Sequence, residues 1–563
     1  MKRCPQCNRI ATDDLLTFCR VDGVRLVQDS RSLNDSETVA LPPDKPLAEA
    51  STTDESLSAP CLTTNPLSLS KATNGTRNMI KGRKRRIGIA VIAAIIVSAL
   101  GSSAYYSISR KNNAPIYSLA VLPFINVSPD EQLDYLADGM TENLISNLSQ
   151  LPILNVKAHS SVLRFKGKDV SPRPVGAELN VQAILNGRLT LHGELLTLSL
   201  ELADARTENV IWSQQYTRKE TDVVSLQNEI ARDVTYNLRV KLARADEQKL
   251  SKKYTNNTEA YELYLKGRFY WNKRTLKDLE TALEYFNQAI ALDPNYALAY
   301  AGLADTYVLL PQYRNEPVRE ALPLAQEAAL KALSLDSDLA EPHATLGRVK
   351  TNQYDFTGAE TEYKRAIELD PNYATAHQWY GILLFDLARN DESQAELRRA
   401  LELDPLSLII NLYYAESFYY ARQYDAAIAQ LRKTLELNTE FATTYQWFTK
   451  SNQANGNYGE AVKSYAAYRK MIGDRQGAAL IRESFTKGGW TGFLQAVTAK
   501  DQTAKLTRYE AVVFLTALGD KEKAFAELER SFDVFGPSLR IDPLLDPLRA
   551  DPRFASILTR AGL

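Results

Sequence analysis

One stretch of the chain is apolar without interruption, whereas apolar and polar residues alternate over most of the remainder. No residue from Ile87 to Ile108 carries a charge. As a helix this stretch would reach about 33 Å, enough to cross a hydrocarbon core of about 30 Å. The pattern predicts a single transmembrane helix over residues 87–108. A buried core helix would normally show a polar face, and a cleavable signal peptide would stand at the start of the chain.

The charges that flank this stretch are unevenly distributed. Only Arg110 and Lys111 closely follow it, whereas five cations precede it: Lys81, Arg83, Lys84, Arg85 and Arg86. Cations beside a membrane span tend to remain in the cytoplasm. We therefore expect a single-pass protein of the inner (cytoplasmic) membrane, with its amino terminus in the cytoplasm and its carboxyl-terminal bulk in the periplasm or otherwise outside the cytoplasm.

From about Thr258 onward the apolar pattern becomes periodic. Helical segments end in turns at Asp293-Pro294, Asp336-Ser337, Asp370-Pro371, Asp404-Pro405 and Asn438-Thr439. After a first, longer interval these turns recur every 34 residues, which is the period of the tetratricopeptide repeat. The sequence predicts about six such repeats over 258–473. An irregular helical region, a later repeat and a carboxyl-terminal cap are expected over 474–563.

Shorter patterns lie between the apolar stretch and the repeats. Apolar and polar residues alternate over Val181–Arg188 and Leu195–Ala203, which predicts strands, and a helical period covers Asp134–Leu151. A further short strand is predicted over Val162–Phe165. Residues 117–243 are therefore expected to form a small α+β domain. The predicted fold class of the whole chain is mainly α, an α-solenoid preceded by this domain.

The motifs of this region carry a family resemblance. AVLPF, YLADGMTENLI, RFKGKD, ILNGRLT and IWSQQY ahead of LQNEIA occur in the order found in TolB amino-terminal-like (FlgO-like) domains. Relatives of these domains occur next to cyclase, winged-helix or kinase modules and ahead of helical repeats. The resemblance implies a noncatalytic adaptor role in the envelope or in signalling.

The cysteines all lie before the apolar stretch. Cys4 and Cys7 form a C-x2-C pair, Cys19 follows, and Asp22 stands where a fourth cysteine would complete a ribbon. Residues 1–28 thus resemble a zinc ribbon, and we predict a structural zinc ion bound by Cys4, Cys7, Cys19 and Asp22. A degenerate segment without metal is the alternative. Residues 29–80, rich in Ser, Thr, Asp, Asn and Pro, are predicted to be a disordered tether.

Tetratricopeptide arrays bind partners on a concave face that the first helix of each repeat lines. The family's groove positions, mapped onto the in-phase repeats, give ten partner-binding candidates: Arg348, Asn352, Gln378, Phe385, Asp386, Glu416, Tyr419, Tyr420, Gln446 and Lys450. The mixture of charged and aromatic side chains suits a protein or peptide partner rather than a single charged terminus. Packing between repeats is an equally good interpretation of Tyr419 and Tyr420.

Two pairs of polar residues suggest chemistry at first sight. His343 and His377 stand one repeat apart, but Tyr300 and Asn411 occupy the same position in other repeats, so we expect a packing role rather than a metal site. Asp138 and Glu142 lie one helical turn apart, where helix-surface and capping roles are commoner than acid/base pairs. The sequence contains no nucleophile elbow, phosphate loop or HExxH motif, so an enzyme is not expected.

The formal net charge of −1 gives no electrostatic argument for nucleic-acid binding, and a small-molecule substrate is not expected. The sequence predicts a membrane-anchored, noncatalytic adaptor or scaffold that binds protein partners through an exported tetratricopeptide groove, in envelope organisation or signalling. The alternative is an accessory or regulatory subunit of an envelope enzyme, or of a transmembrane signalling or transcriptional system that acts through the cytoplasmic zinc ribbon.

Overall fold

The computed structural model describes residues 115–130, 133–168, 170–219, 222–314, 318–499, 506–530 and 536–563, together with three dipeptides near the amino terminus. The chain divides into two units, Met1–Ala93 and Ala94–Leu563. In the first unit the dipeptides β1 (Lys2–Arg3), β2 (Ile10–Ala11) and β3 (Val27–Gln28) pair as an antiparallel sheet in the order β2-β1-β3.

Three predictions concern residues outside these ranges. They are the zinc site at Cys4, Cys7, Cys19 and Asp22, the tether over 29–80 and the membrane span over 87–108. Among the helices that the structure describes, none is both long enough and apolar enough to cross a bilayer.

An α+β region opens the described part of the second unit. Its sheet has the order β6-β4-β7-β8-β9, and β5 pairs with β7. β4 lies parallel to both β6 and β7, whereas β7, β8 and β9 form an antiparallel meander. The strands are β4 (Ser118–Val121), β5 (Ile125–Asn126), β6 (Asn155–Val156), β7 (Ala183–His192), β8 (Leu195–Asp204) and β9 (Val210–Lys219). The helices are α1 (Asp134–Ser149), α2 (His159–Val162), α3 (Pro172–Leu179), α4 (Val223–Asn237) and α5 (Arg244–Leu250).

The short strand predicted over Val162–Phe165 is wrong. α2 ends at Val162, and a 3-10 turn follows over Leu163–Phe165. A strand would bury alternate residues, but Val162 and Phe165 are buried while Arg164 is exposed. Burial at a spacing of three residues is typical of a helical turn.

Six helix pairs follow, and the predicted tetratricopeptide repeats are confirmed. The first helices are α6 (Thr258–Lys273), α8 (Ala297–Arg314), α10 (Ala340–Asn352), α12 (Ala374–Asp386), α14 (Leu408–Tyr420) and α16 (Ala442–Ala454). The second helices are α7 (Leu276–Leu292), α9 (Val318–Leu335), α11 (Phe356–Leu369), α13 (Asn390–Leu403), α15 (Tyr424–Leu437) and α17 (Tyr458–Met471).

Small residues recur in phase because the helices of each pair cross closely. A Cβ atom added to Gly347 would lie 2.6 Å from the Tyr363 ring, and one added to Gly381 would lie 2.6 Å from Leu397 Cγ. Helices packed at such short distances accept only small side chains where they cross. The 34-residue period therefore reflects packing within the array.

The chain continues beyond the sixth repeat with α18 (Arg475–Val497), which is interrupted at Gly489 by a positive φ of 59°. α19 (Arg508–Leu518) and α20 (Lys521–Glu529) form a later helix pair. Two 3-10 turns (Pro537–Arg540 and Pro543–Leu545), α21 (Asp546–Arg549) and α22 (Pro552–Arg560) complete the chain. We call residues 536–549 the closing segment.

Candidate functional site

The first helices of consecutive repeats lie against one another from α6 to α16 and form one continuous surface, the first-helix face. The position twelve residues after each turn lies on this face. It is occupied by Asp305, Arg348, Ile382, Glu416 and Lys450, so all but one of these residues are charged. Gly347, next to Arg348, packs on the Tyr363 ring. Gly267 packs in the same way on the Phe286 ring. Arg268, the next residue, therefore occupies the equivalent position of the first repeat.

The amino-terminal end of the first-helix face is covered by α1 of the α+β region. Glu142 on α1 accepts hydrogen bonds from Arg268 Nε, at 2.8 Å, and from Asn272 Nδ2. Arg268 also lies 3.7 Å from Asp305 Oδ2. Burial alone would raise the pKa of Glu142, but the charge of Arg268 and these hydrogen bonds hold that pKa below its usual value. The carboxylate therefore stays ionised at the interface.

Asp138 and Glu142 were expected to lie on the helix surface or to cap the helix, and the structure gives them neither role. Both are buried, and Asp138 accepts a hydrogen bond from Lys166 Nζ at 2.6 Å. The cause is the position of α1, which contacts both the sheet and α6 and so has few residues that reach solvent. Each carboxylate is engaged by a cation, an arrangement that joins two parts of the fold.

A second set of contacts runs along the turns that end the second helices. Four turn aspartates, one per repeat, each accept a bond from the α+β region or from the residues that link it to α6. The donors are Thr255 to Asp293 at 2.6 Å, Lys252 to Asp336 at 2.6 Å, Ser149 to Asp370 at 2.6 Å, and Ser160 and Ser161 to Asp404. The α+β region and the residues that link it to α6 are thus together bonded to four consecutive repeats.

The turn aspartate Asp370 is buried, and a neighbouring residue adds further bonds to the α+β region. Asn372, two residues later, donates to the carbonyl oxygens of Ser149 and Leu154, each at 2.7 Å. Burial raises the pKa of Asp370 to about 7, although the Ser149 hydroxyl opposes the shift. The protonation state of this carboxyl therefore changes near neutral pH.

The carboxyl-terminal end of the first-helix face is covered by the closing segment. Asp542 accepts hydrogen bonds from the Tyr419 hydroxyl, at 2.7 Å, and from the Tyr509 hydroxyl. Arg540 Nη2 donates to the carbonyl oxygen of Asp386 at 2.9 Å. Ile541 packs on the apolar cluster that contains Phe385.

The closing segment is a fixed part of the fold rather than a removable ligand. Leu539, Leu545 and Leu548 are at most 1% exposed and pack with residues of α17 to α20. Burying each such side chain contributes about 1.5–3 kcal/mol. Releasing the segment would cost several kcal/mol, a large fraction of the stability of a typical domain.

The ten predicted groove residues fall into two groups. Arg348, Asn352, Tyr420, Gln446 and Lys450 are half-buried, whereas the other five are buried: Gln378, Phe385, Asp386, Glu416 and Tyr419. Tyr419 packs edge-on against Tyr420 and Trp447, with ring centroids 5.2 and 5.3 Å apart. Its hydroxyl is bonded to Asp542, so this tyrosine packs within the protein.

The two repeat histidines also have packing roles, as expected. His343 Nδ1 lies 2.7 Å from Glu362, and His377 Nδ1 lies 2.6 Å from Glu396, in each case across the helix pair of its own repeat. Within the described ranges no three His, Cys, Asp or Glu side chains are grouped closely enough to hold a metal ion. The predicted zinc ligands stand outside those ranges.

The sequence patterns gave no indication of the turn aspartates or Asp542 as contact residues. The Asp-Pro pairs marked the helix ends, and the same residues turned out to accept bonds from distant segments. The regular recurrence of the turn aspartates could have identified them, because carboxylates at successive repeat edges form a row that another region can contact.

Two family models match the chain. The model for the second domain of HilA/YgeH-like transcriptional regulators matches residues 115–233, and the model for the tetratricopeptide repeat matches residues 263–296 and 374–405. The first match covers most of the α+β region, and the second supports the repeats.

Longer stretches of the chain match curated relatives. One, named "Putative adenylate cyclase 3", from Rhizobium meliloti, is 32% identical over 239 residues, which cover 41% of this chain and 39% of the relative. The transcriptional regulator HilA of Salmonella typhimurium is 25% identical over 257 residues, 44% of each chain. The chain spans less than half the length of these relatives.

Solved structures of tetratricopeptide proteins are also similar. The type IV pilus biogenesis factor PilW is 22% identical over 38% of this chain and 94% of its own, with a TM-score of 0.32. PilF of Pseudomonas aeruginosa is 19% identical over 38% of this chain and 93% of its own, with a TM-score of 0.31. YrrB, described as having an unusual peptide-binding site, is 22% identical over 33% of this chain and 89% of its own, with a TM-score of 0.24.

Proposed function

We propose that this protein is a noncatalytic, membrane-anchored adaptor that binds a protein partner on its first-helix face. Tetratricopeptide arrays are protein-interaction scaffolds. Between its two covered ends this array has a stretch that no described segment covers, which we call the unoccupied stretch. The observation that carries the proposal is the side-chain set of that stretch. The side chain of Arg348 is half-buried and forms no hydrogen bond or ion pair with any described residue, although its backbone carbonyl accepts a bond from Asn352. Half-buried Tyr413 belongs to the same face. Arginine and tyrosine are common anchor residues in protein interfaces.

The membrane anchor is proposed to be the helix over 87–108, with the cations at 81–86 on the cytoplasmic side. The resemblance to TolB amino-terminal-like domains supports an extracytoplasmic place for the α+β region and the repeats. Alkaline phosphatase fused after Leu563 should be active, because it folds into an active enzyme only outside the reducing cytoplasm. An inactive fusion, beside an active fusion to a known exported protein, would reverse the orientation.

The amino-terminal segment is proposed to bind one structural zinc ion through Cys4, Cys7, Cys19 and Asp22. Three thiolates and one carboxylate form a tetrahedral donor set that zinc accepts. Elemental analysis of the purified chain should find about one zinc per molecule. Replacement of Cys7 by Ser should remove the metal, whereas replacement of Cys61 should leave it bound.

A second candidate function is favoured by the names of the relatives. A cyclase and a transcriptional regulator, two proteins with different outputs, share similarity with this one chain. The α+β region and the repeats could thus form a regulatory module of a transmembrane signalling or transcriptional system. In that case a partner of the first-helix face would change the output of an enzyme or regulator bound elsewhere on the chain.

Photo-crosslinking in the native membrane tests the adaptor proposal directly. A photoreactive residue at Asn352 lies on the unoccupied stretch, and one at Glu368, on the second helix of the same repeat, is a matched control with its side chain 70% exposed. We expect a defined protein to be captured from Asn352 and not from Glu368. Substituting Arg348 by Ala should weaken that capture.

Three outcomes would contradict the proposal. They are no capture from Asn352, equal capture from both positions, and capture that Arg348→Ala leaves unchanged while the variant retains its helical content. Identification of a captured enzyme or transcription factor would favour the regulatory alternative over a purely structural scaffold.

A further inference from the structure

A cavity of about 390 Å³ lies on the first-helix face next to the closing segment. Its wall includes Leu412, Tyr413, Glu416, Tyr420, Trp447 and Lys450. A smaller cavity, of about 200 Å³, shares Trp447, Lys450 and Tyr509 with it. Pockets for small ligands commonly occupy about 300–1,000 Å³ and combine apolar walls with a few polar groups. Both the size and the lining of the larger cavity fit that description.

Glu416 is the acidic group of this cavity. Glu416 is only 6% exposed. Its carboxyl group forms no hydrogen bond or ion pair with any described residue. Burial raises the pKa of Glu416 well above its usual value, although Lys450 opposes that shift. The Glu416 oxygens are not among the fully buried atoms without a partner, so the carboxyl group is open to the cavity that it lines.

Lys450 is the basic group. Its ammonium nitrogen lies 4.0 Å from the ring centroid of Trp447 and 4.0 Å from that of Tyr509. The faces of these rings attract a cation. Within the described part of the chain Lys450 forms no ion pair with a carboxylate within 4.0 Å, although the charges of Asp542, Glu416 and Glu510 act on it from farther away. Lys450 and Glu416 therefore line one cavity from adjacent repeats without pairing with each other.

A ligand that satisfies both groups must carry an ammonium for Glu416 and a carboxylate for Lys450. A simple amine would leave Lys450 without an anionic partner, and a simple carboxylate would leave Glu416 without a cationic partner. An internal residue of a partner peptide offers neither charge on its backbone, whereas a free amino acid carries both on one carbon. The rings and Leu412 supply an apolar surface for its side chain.

We propose that this cavity binds a free α-amino acid with an apolar or aromatic side chain. The ammonium of the ligand pairs with Glu416, and its carboxylate pairs with Lys450. Its side chain packs among Tyr413, Tyr420 and Trp447. The cavity shares Tyr413 with the surface proposed for the protein partner. It is tested at Glu416 and Lys450, whereas the partner surface is tested at Arg348 and Asn352, so either proposal can fail without the other.

Isothermal titration of the purified full chain tests this assignment with four probes of similar shape. They are L-phenylalanine, phenethylamine, 3-phenylpropionate and N-acetylphenylalaninamide. We expect phenylalanine to bind at least about tenfold more tightly than each of the other three, because each of them lacks one or both charges. Binding of leucine and methionine at similar affinity would extend the assignment to the apolar class.

Two isosteric variants locate the site. Glu416→Gln and Lys450→Met should each weaken phenylalanine binding about tenfold or more, and Glu522→Gln, on an exposed surface, should leave the affinity unchanged. Equal affinity for phenethylamine and phenylalanine would overturn the proposal. The same holds if none of the amino acids binds, or if both cavity variants retain wild-type affinity. If a variant does not fold, the affinities of the four probes for the wild-type chain still test the proposal.

Discussion

The two ends of the first-helix face are closed by different physical means. At the amino-terminal end a separate region of the chain covers the repeats, and its contacts are ionic and polar, as between Glu142 and Arg268. At the carboxyl-terminal end the closing segment is anchored mainly by leucines buried among α17 to α20, and Asp542 adds two hydroxyl contacts.

This difference matters for specificity and for stability. Charged groups buried at an interface fix one relative position of two regions, because any other position leaves a charge unpaired. Apolar burial contributes more stability but is less selective in direction. We therefore expect α1 to occupy one fixed position on the first-helix face. The apolar contacts of the closing segment are expected to tolerate a cavity beside them.

Removing the interfacial carboxylate should have the largest effect. Glu142→Ala leaves the Arg268 guanidinium buried beside Asp305 without its main partner. The free energy of unfolding of the full chain should fall by about 3–5 kcal/mol, measured by urea denaturation. Glu522→Ala, which breaks an exposed pair with Arg553, is the control and should cause no measurable change. Equal effects of the two substitutions would remove the distinction between the two ends.

The second largest effect is expected at the closing segment. Asp542→Ala leaves the hydroxyls of Tyr419 and Tyr509 without their acceptor, which should lower the free energy of unfolding by about 3 kcal/mol. Asp546→Ala removes a partly exposed carboxylate from the same segment and should cost less. A larger loss from Asp546→Ala would indicate that surface ion pairs, rather than buried bonds, hold the segment in place.

A pH-dependent effect is expected at Asp370. Its pKa is about 7 in the folded chain and about 4 when unfolded, so the folded state binds more protons between these values. Stability from this group is therefore lost as the pH rises from 5 to 8. Asp370→Asn does not titrate, so the variant should gain about 2 kcal/mol relative to wild type over that range. A difference between the two proteins that stays constant from pH 5 to 8 would contradict this.

The smallest effect is expected at His159, and it has the opposite sign. Neither ring nitrogen has a partner among the described residues, and burial lowers the pKa of this histidine although Glu142 and Asp138 oppose the shift. The folded chain thus binds fewer protons, and stability is lost as the pH falls below about 6.5. His159→Leu should gain about 1 kcal/mol relative to wild type between pH 7 and 5. Thermal unfolding scans at both pH values should show this gain, and an unchanged difference would count against it.

The helices of the repeats could be predicted from sequence because their signal is local and periodic. The apolar period and the recurring small residues at Gly347 and Gly381 follow from packing within one repeat. The wrong strand over Val162–Phe165 shows the limit of this approach. Four apolar and basic residues fit a short strand as well as a helical turn, and only their burial against the rest of the fold separates the two.

The covering of the first-helix face could not be predicted in the same way. Glu142 and Arg268 are 126 residues apart, and Tyr419 and Asp542 are 123 residues apart. No sequence period links such distant positions. The sequence of one repeat therefore does not show whether its groove residues face solvent or are covered by another segment. Asp386 was accordingly predicted as a partner-binding residue, and the structure buries it and bonds its carbonyl oxygen to Arg540 of the closing segment.

The row of turn aspartates has a consequence for how this protein can evolve. Arrays of identical units commonly gain or lose a unit by recombination, since each unit contacts only its neighbours. Here Asp293, Asp336, Asp370 and Asp404 each face a different donor, so inserting or deleting one unit among the first four would put later units opposite the wrong donors. Changes in length are therefore expected to be rare among the first four units, and a comparison of natural variants should find few of them there.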